Sequence, residues 1–206
     1  MSDIGGPKHW QAVYGGRSHL QTSWHQDEPQ PSLDLIASLS LPLDAAVVDV
    51  GGGASVLVDR LVAAGHEHVT VLDLAADALG ASRTRLGDAA ARIDWVEADI
   101  RAWRPDRSYG LWHDRAVLHF LTAQSDRDAY RATLLHALAP DGILIIGTFA
   151  EDGPSQCSGL PVCRYDSAAL TAEFAGDFDV LSTHRHEHLT PAGHVQPFTW
   201  LVGRRR

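Results

Sequence analysis

Val47-Val48-Asp49-Val50-Gly51-Gly52-Gly53-Ala54-Ser55 sets the architecture expected of the whole chain. A short β-branched run breaks into consecutive glycines and is followed by Val56-Leu57-Val58-Asp59-Arg60-Leu61-Val62, whose apolar spacing is helical. The stretch reads as a buried strand, a tight turn and a helix start. Glycine serves where the backbone turns through positive φ or approaches a ligand with no Cβ in the way, and a helix start leaves N–H groups pointing into the gap. The turn is a candidate ligand cradle, although a tight strand-to-helix turn without a ligand would use the same residues. Farther on, the β-rich run His68-Val69-Thr70-Val71-Leu72 ends at Asp73, whose carboxylate can accept both hydroxyls of a ribose.

Two cofactor classes use such a turn. The dinucleotide fingerprint is Gly-x-Gly-x-x-Gly or Ala; Gly51 and Gly53 fit it, but Val56 stands in the last place. Asp49, just ahead of the glycines, suits a cationic ligand better than a pyrophosphate. Asp49-x-Gly51-x-Gly53 resembles the first motif of class I S-adenosylmethionine-dependent methyltransferases. The resemblance implies that the glycines pass beneath the amino-acid part of the ligand and that Asp73 binds its ribose. Ser55 stands where many relatives carry a further glycine, a departure that a small hydroxyl residue tolerates at a helix start.

A chain of 206 residues suits one α/β domain, expected over residues 1–206. The formal net charge is −9 and the only basic run is Arg204-Arg205-Arg206, so nucleic acid is not an expected partner. Met1 to Pro7 lacks the basic and apolar parts of a signal peptide, and no apolar run is long enough to span a bilayer. A cytoplasmic protein with no membrane partner is expected, with Cys157 and Cys163 as free thiols.

Strand and helix patterns alternate. Helices are expected over Pro31 to Leu41, over Val56 to Ala64 with a left-handed cap at Gly65, and over Ala75 to Leu86. Ile93 to Asp99 and Tyr109 to Asp114 read as strands. Ser125 with Asp128 looks like a capping box for a helix from Arg127 to Leu138. Pro140-Asp141-Gly142 then turns into Ile143 to Phe149, the most apolar strand and so a central one. A helix near Ser167 to Phe174 precedes strands Phe178 to Glu187 and Gln196 to Val202, whose short connection through Pro191-Ala192-Gly193 makes them antiparallel neighbours. The alternation argues a doubly wound, mostly parallel α/β sheet covered on both faces. With its antiparallel C-terminal hairpin it is the seven-stranded, Rossmann-like pattern that the resemblance implies.

Trp10, Val13 and Tyr14 have helical spacing, and Gly15-Gly16 break the segment. The segment is either a hydrophobic anchor or a lid. Trp10-x-x-x-Tyr14, Ser23-Trp24-His25-Gln26 and Pro31-x-Leu33 resemble the N-terminal signature of a bacterial methyltransferase branch, similar also to the branch of some eukaryotic protein-lysine methyltransferases. This implies that residues 1–30 fold over the cofactor and shape the acceptor pocket, with Trp24 nearest the ligand.

In parallel α/β sheets ligands bind outside the carboxyl ends of the strands. Asp49, Asp73, Asp99 and Asp114 stand at successive strand ends, although aspartate favours loops and helix starts in any case. By resemblance, Asp99 with Ile100 holds the adenine amino group and Leu74 flanks the ring. Trp112-His113-Asp114-Arg115-Ala116-Val117-Leu118-His119-Phe120-Leu121 resembles a dense motif of the bacterial branch that lies beside the sulfonium and methyl group. It puts Asp114 and Arg115 with the cofactor and His119 on the acceptor side. Methyl transfer is an in-line displacement that gains most from placing the acceptor in a dry site. A base is needed only where the acceptor loses a proton, so His119 is the candidate base, or else a pocket-wall or capping residue.

Phe149 to Tyr165 is a long loop, and its Cys157-to-Tyr165 segment keeps the branch's Cys-x-Gly-Leu-Pro-Val-x-Arg-Tyr element, implying a cover for the acceptor pocket. Cys157 and Cys163 lack a third fixed ligand for a soft metal. His184, His186 and His188 alternate onto one strand face, read as a solvated polar face; no metal is expected. The expected function is S-adenosyl-L-methionine-dependent transfer of a methyl group to a small-molecule O, N or S acceptor, leaving S-adenosyl-L-homocysteine. The alternatives are a protein-lysine methyltransferase and a non-catalytic module that binds the cofactor.

Overall fold

Valine-rich runs that alternate faces build the sheet. The computed structural model describes residues 5–16 and 18–206; of the N-terminal segment expected as a lid, residues 1–4 and 17 lie outside that description. Strands β1 (Val47–Val50), β2 (Val69–Asp73), β3 (Ile93–Glu97), β4 (Tyr109–Arg115) and β5 (Leu138–Phe149) run parallel. A separate small hairpin pairs β6 (Gln156–Cys157) with β7 (Leu160–Pro161). The last strands, β8 (Phe178–Leu189) and β9 (Val195–Arg205), are antiparallel and join the main sheet through β5. The order is β3-β2-β1-β4-β5-β9-β8, the expected seven-stranded sheet. Strand order reverses between β1 and β4, which opens a crevice beyond their carboxyl ends.

The helices are α1 (Pro7–Gly15), α2 (Ser32–Ser38), α3 (Leu57–Ala63), α4 (Ala76–Leu86), α5 (Gln124–Ala137) and α6 (Ser167–Phe174). Because side chains alternate along a strand, each strand feeds both faces. Val48, Val50, Trp112, Leu144 and Ile146 pack with Tyr130 and Leu134 of α5 and Phe174 of α6. Val47, Val71, Leu111, Ile143 and Ile145 pack with Ile36 of α2, Leu57 and Leu61 of α3 and Leu79 of α4. Burying one such side chain contributes about 1.5–3 kcal/mol, so neither helical layer is dispensable to a fold whose net stability is about 5–15 kcal/mol.

Local chemistry explains the element ends. The α3 helix stops in a Schellman turn: Gly65 has φ 94°, its N–H donates to the Val62 carbonyl at 3.1 Å, and the His66 N–H to that of Leu61 at 3.0 Å. The expected capping box of α5 is not formed. That helix begins at Gln124 with Ala123 as N-cap, and Asp128 instead accepts from Gln124 Nε2 at 2.9 Å, one turn away. Strand β5 starts earlier than expected because Pro140-Asp141-Gly142 forms a bulge inside it, between the pairings of Leu138 with Tyr109 and Ile143 with Leu111. Asp141 takes φ 61°, a conformation aspartate tolerates. Strand β3 ends at Glu97, so Asp99 lies beyond it.

The alternating histidines do not share one environment. His184 is exposed, whereas His188 is buried and pairs through Nε2 with the Ser23 carbonyl at 2.7 Å, fastening the N-terminal segment to the hairpin. Burial holds His188 down to about 4, so the tether is neutral. Among the described residues no cluster of three or more His, Cys, Asp or Glu could hold a metal, and no helix is long and apolar enough to cross a membrane.

Candidate active site

The glycine turn after β1 is packed closely by its neighbours. Gly51 has φ 68°, and a Cβ there would stand 2.2 Å from Val117 Cγ2; at Gly53, φ 34°, it would stand 2.6 Å from Asp73 Oδ2. No other residue fits either position. The turn's carbonyls are held from α4: Ser82 Oγ donates to Gly53 at 2.7 Å, and Arg85 donates to Ala54 at 3.1 Å and Ser55 at 2.6 Å. Ser55 Oγ accepts the Leu57 N–H at 3.1 Å, the job expected of a hydroxyl at that helix start.

A cavity of about 260 Å³ lies beyond the strand ends, lined at one end by Gly51, Asp73, Leu74, Asp99, Ile100 and Arg101. Asp73 Oδ1 accepts the Ala75 N–H at 2.8 Å; Oδ2 faces Gly53. Burial, reinforced by the charge of Asp49, pushes Asp73 up to about 7. Asp99 is engaged by Arg101, which donates from Nη2 at 2.6 Å and Nε at 3.0 Å and pairs also with Asp126 at 3.1 Å. Against the cost of partial burial, these bonds hold Asp99 below the usual carboxylate range.

Beneath the turn, Asp49 Oδ1 pairs with His113 Nδ1 at 2.7 Å, and His113 Nε2 with Ser32 Oγ at 2.9 Å. Asp49 Oδ2 is buried with no partner. Arg115 has no carboxylate partner among the described residues; its Nη1 donates to the Trp24 carbonyl at 2.9 Å, its Nη2 is buried and unpartnered, and its guanidinium lies 5.3 Å from the Phe198 ring. Two unpaired atoms of opposite charge thus border the glycine turn, a donor set suited to a zwitterion. Glycine backbone, a ribose-competent carboxylate and this pair together fit a nucleoside that carries an amino acid.

The other end of the cavity is aromatic. Trp10 stacks edge-on against Phe120 at 5.0 Å and Trp24 at 6.1 Å, and Tyr14 against Trp24 at 6.1 Å. Phe149, Phe198, Cys157, Leu160 and Pro161 complete the wall. Cys157 to Pro161 are presented by the β6–β7 hairpin, turned at Ser158 and Gly159 with φ 50° and 76°. Burial pushes the Cys157 thiol up to about 11.

Residues 47–142 match the family model described as a methyltransferase domain. That stretch is similar to a methyltransferase domain. Trans-aconitate 2-methyltransferase of Azoarcus sp. is 33% identical over 117 residues, 55% of this chain and 42% of that protein. The chain spans about half the length of the curated relatives it matches. A SAM-dependent methyltransferase of Anabaena variabilis superposes with a TM-score of 0.74 at 15% identity, covering 97% of this chain and 95% of that one. The 1,6-didemethyltoxoflavin-N1-methyltransferase of Burkholderia thailandensis, solved with 1,6-didemethyltoxoflavin and S-adenosylhomocysteine, gives 0.72 at 22% identity, covering 96% and 85%. At these identities the two structures speak for the fold, which is the Rossmann-like methyltransferase fold.

The expected site residues divide. Trp24, Gly51, Asp73, Leu74, Asp99, Ile100 and Arg115 line the cavity, Asp49 the recess below the turn, and Gly53 backs Asp73. Asp114 does not belong with them. It is fully buried and accepts from Tyr130 Oη at 2.7 Å and from the N–H groups of Val117 at 2.8 Å and Leu118 at 3.1 Å. It holds the shape of the segment after β4 and offers nothing to a ligand.

His119 is likewise corrected. It is fully buried, off the cavity wall, between Phe120 and Phe149. Its Nδ1 accepts the Phe149 N–H at 3.4 Å, which leaves the proton on Nε2, and its carbonyl accepts the Cys163 N–H at 2.7 Å. Burial, helped by Arg115, holds the ring down to about 3. A nitrogen that already accepts a hydrogen bond and one that already carries the proton leave no basic site, so His119 clasps the Phe149–Tyr165 loop. His119→Asn, which keeps an acceptor for Phe149, is expected to lower turnover less than about tenfold, against 10²–10⁴-fold for loss of a general base. A pH profile of turnover abolished by this change would restore the base.

Sequence reasoning passed over Ser82, Arg85 and Arg101. Each is a polar residue of ordinary type on a helix or loop, Ser82 fully buried, and only the fold reveals what it holds.

Proposed function

We propose that this chain is an S-adenosyl-L-methionine-dependent methyltransferase acting on a small-molecule acceptor, as one domain over residues 1–206 with residues 1–30 as its cover, in the cytoplasm. The observation that carries this is the division of one cavity into a nucleoside end, with Asp73, the glycine turn and Arg115, and an aromatic end, with Asp49 in the recess just below the turn. When bound, S-adenosyl-L-methionine supplies a methyl group on a sulfonium, open to in-line displacement. Asp73 accepts the ribose hydroxyls, Asp99 and Ile100 the adenine amino group, and Leu74 and Trp24 give apolar flanks. Asp49 and Arg115 take the ammonium and the carboxylate.

Trp10, Phe120, Phe149 and Phe198 exclude water and align the acceptor, which is where most of the rate arises in a displacement without covalent help from the protein. Among the described residues no free base lines this end, so the chain favours acceptors whose lone pair is already exposed: thiolates, carboxylates or heteroaromatic nitrogens. The relatives named for trans-aconitate and for 1,6-didemethyltoxoflavin support small acceptors. The cavity's acids, Asp73, Asp99 and Asp126, all stand toward the nucleoside end. An ammonium acceptor such as a protein lysine would meet no carboxylate, which weighs against that alternative. The test is calorimetry with S-adenosylhomocysteine, followed by label transfer from methyl-labelled cofactor to thiol, amine, hydroxyl, carboxylate and protein acceptors. Binding with label on small acceptors is the expected result; label on proteins alone would reassign the acceptor, and binding without any transfer would leave a cofactor-binding module.

A further inference from the structure

We propose that Arg115 makes closure of the N-terminal segment depend on the carboxylate of the bound nucleoside, so that the site distinguishes a nucleoside bearing an amino acid from the same nucleoside without one. The inference rests on the proposed cofactor site. Arg115 touches both sides of the question. Its Nη1 holds the backbone carbonyl of Trp24, which lines the cavity as Arg115 does, while its Nη2 is buried without a partner. A guanidinium is planar and rigid, so an anion that fixes one edge also fixes the direction of the other.

Without an anion, the closed arrangement keeps a desolvated cation with no carboxylate at ion-pair distance among the described residues and only the more distant charge of Asp49 to offset it, a costly state that opening to water relieves. Burial pulling Arg115 down to about 10 is the direction such a cation takes. With a carboxylate on Nη2 the cost is offset and Nη1 stays on Trp24. The neighbouring carbonyl, Ser23, is held by His188 whether or not a ligand is present, so the segment has one constant tether and one that the ligand completes. Trp24 carries Trp10 and Tyr14 with it through the aromatic contacts, which spreads the effect along the segment.

Hydrogen exchange over residues 10–26 tests this with two probes that share adenine and ribose, S-adenosylhomocysteine and 5′-methylthioadenosine, each at a concentration that calorimetry shows to be saturating. S-adenosylhomocysteine is expected to slow exchange by about tenfold or more and methylthioadenosine by less than about twofold. In Arg115→Met, S-adenosylhomocysteine is expected to bind and give no slowing. Equal slowing by the two nucleosides in the native protein overturns the proposal, as does slowing that survives in Arg115→Met. If that variant does not fold, the comparison on the native protein decides alone. Failure of both nucleosides to bind the native protein would remove the cofactor site itself, and this inference with it.

Discussion

Asp73→Ala is expected to lower affinity for S-adenosylhomocysteine by roughly 30- to 150-fold, the about 2–3 kcal/mol of hydrogen bonds to a charged group. The carboxylate is nearly buried at the cavity and keeps one oxygen toward Gly53 and the ligand space. Affinity also depends on pH. Because burial raises the group to about 7, a proton competes with the ribose hydroxyls below that value, and affinity is expected to fall about tenfold per pH unit from pH 7 downward. The same shift governs stability with opposite consequence. An acid whose folded pKa is raised contributes stability that is fully present below its ordinary 3.8 and lost as the pH climbs through about 7. Asp73→Asn, which keeps the acceptor for the Ala75 N–H, is therefore expected to be more stable than the native chain at pH 8, by an amount on the order of 1–4 kcal/mol, while binding far less ligand. Calorimetry at pH 5.5 and 8, with urea midpoints for the variant, measures both. An Asp73→Asn chain that binds normally would take this residue out of the site.

Asp114→Ala is expected to act on the other side of the ledger, costing about 3–5 kcal/mol of stability. It strands the Tyr130 hydroxyl and the N–H groups of Val117 and Leu118, each a buried donor that costs about 1–3 kcal/mol without an acceptor. The damage reaches the core, since Trp112 Nε1 donates to the same hydroxyl at 2.9 Å. Against a net stability of about 5–15 kcal/mol this is enough to unfold a good fraction of the chain on warming. Urea unfolding of Asp114→Ala and Asp73→Asn side by side gives shifts of opposite sign at pH 8. A small shift for Asp114→Ala would return it to the candidate ligand set.

These two aspartates show where the sequence was legible and where it was not. The alternating apolar runs and the glycine turn fixed the sheet and the crevice, because periodicity and positive φ are local properties. Both aspartates end a strand and read alike. What separates them is Ala116, at φ 73°, which bends the chain so that the next N–H groups fall back on Asp114. No residue type announces an alanine in that conformation. Distance in sequence hid the rest. His119 is withdrawn from the cavity by contacts to Phe149 and Cys163, and the link between Arg115 and Trp24 joins residues far apart in the chain. The α5 cap failed for a simpler reason, since Gln124 reached Asp128 first.

The long hairpin that ends the sheet leaves β8 as its outermost strand, with a backbone rim that nothing pairs among the described residues. Such a rim is a template on which a second molecule can add a strand. Leu181 and Leu189 are exposed along it, which makes the hazard real. Two features of the hairpin oppose it. The register shift between Val180 and Ser182 kinks the strand, and Arg185, tied at 2.8 Å to Asp152, stands with Glu187 and His184 as charged and polar side chains that a docking strand would have to dehydrate. The polar residues of β8 thereby guard the sheet against its own kind, away from the cavity at the ends of the other strands.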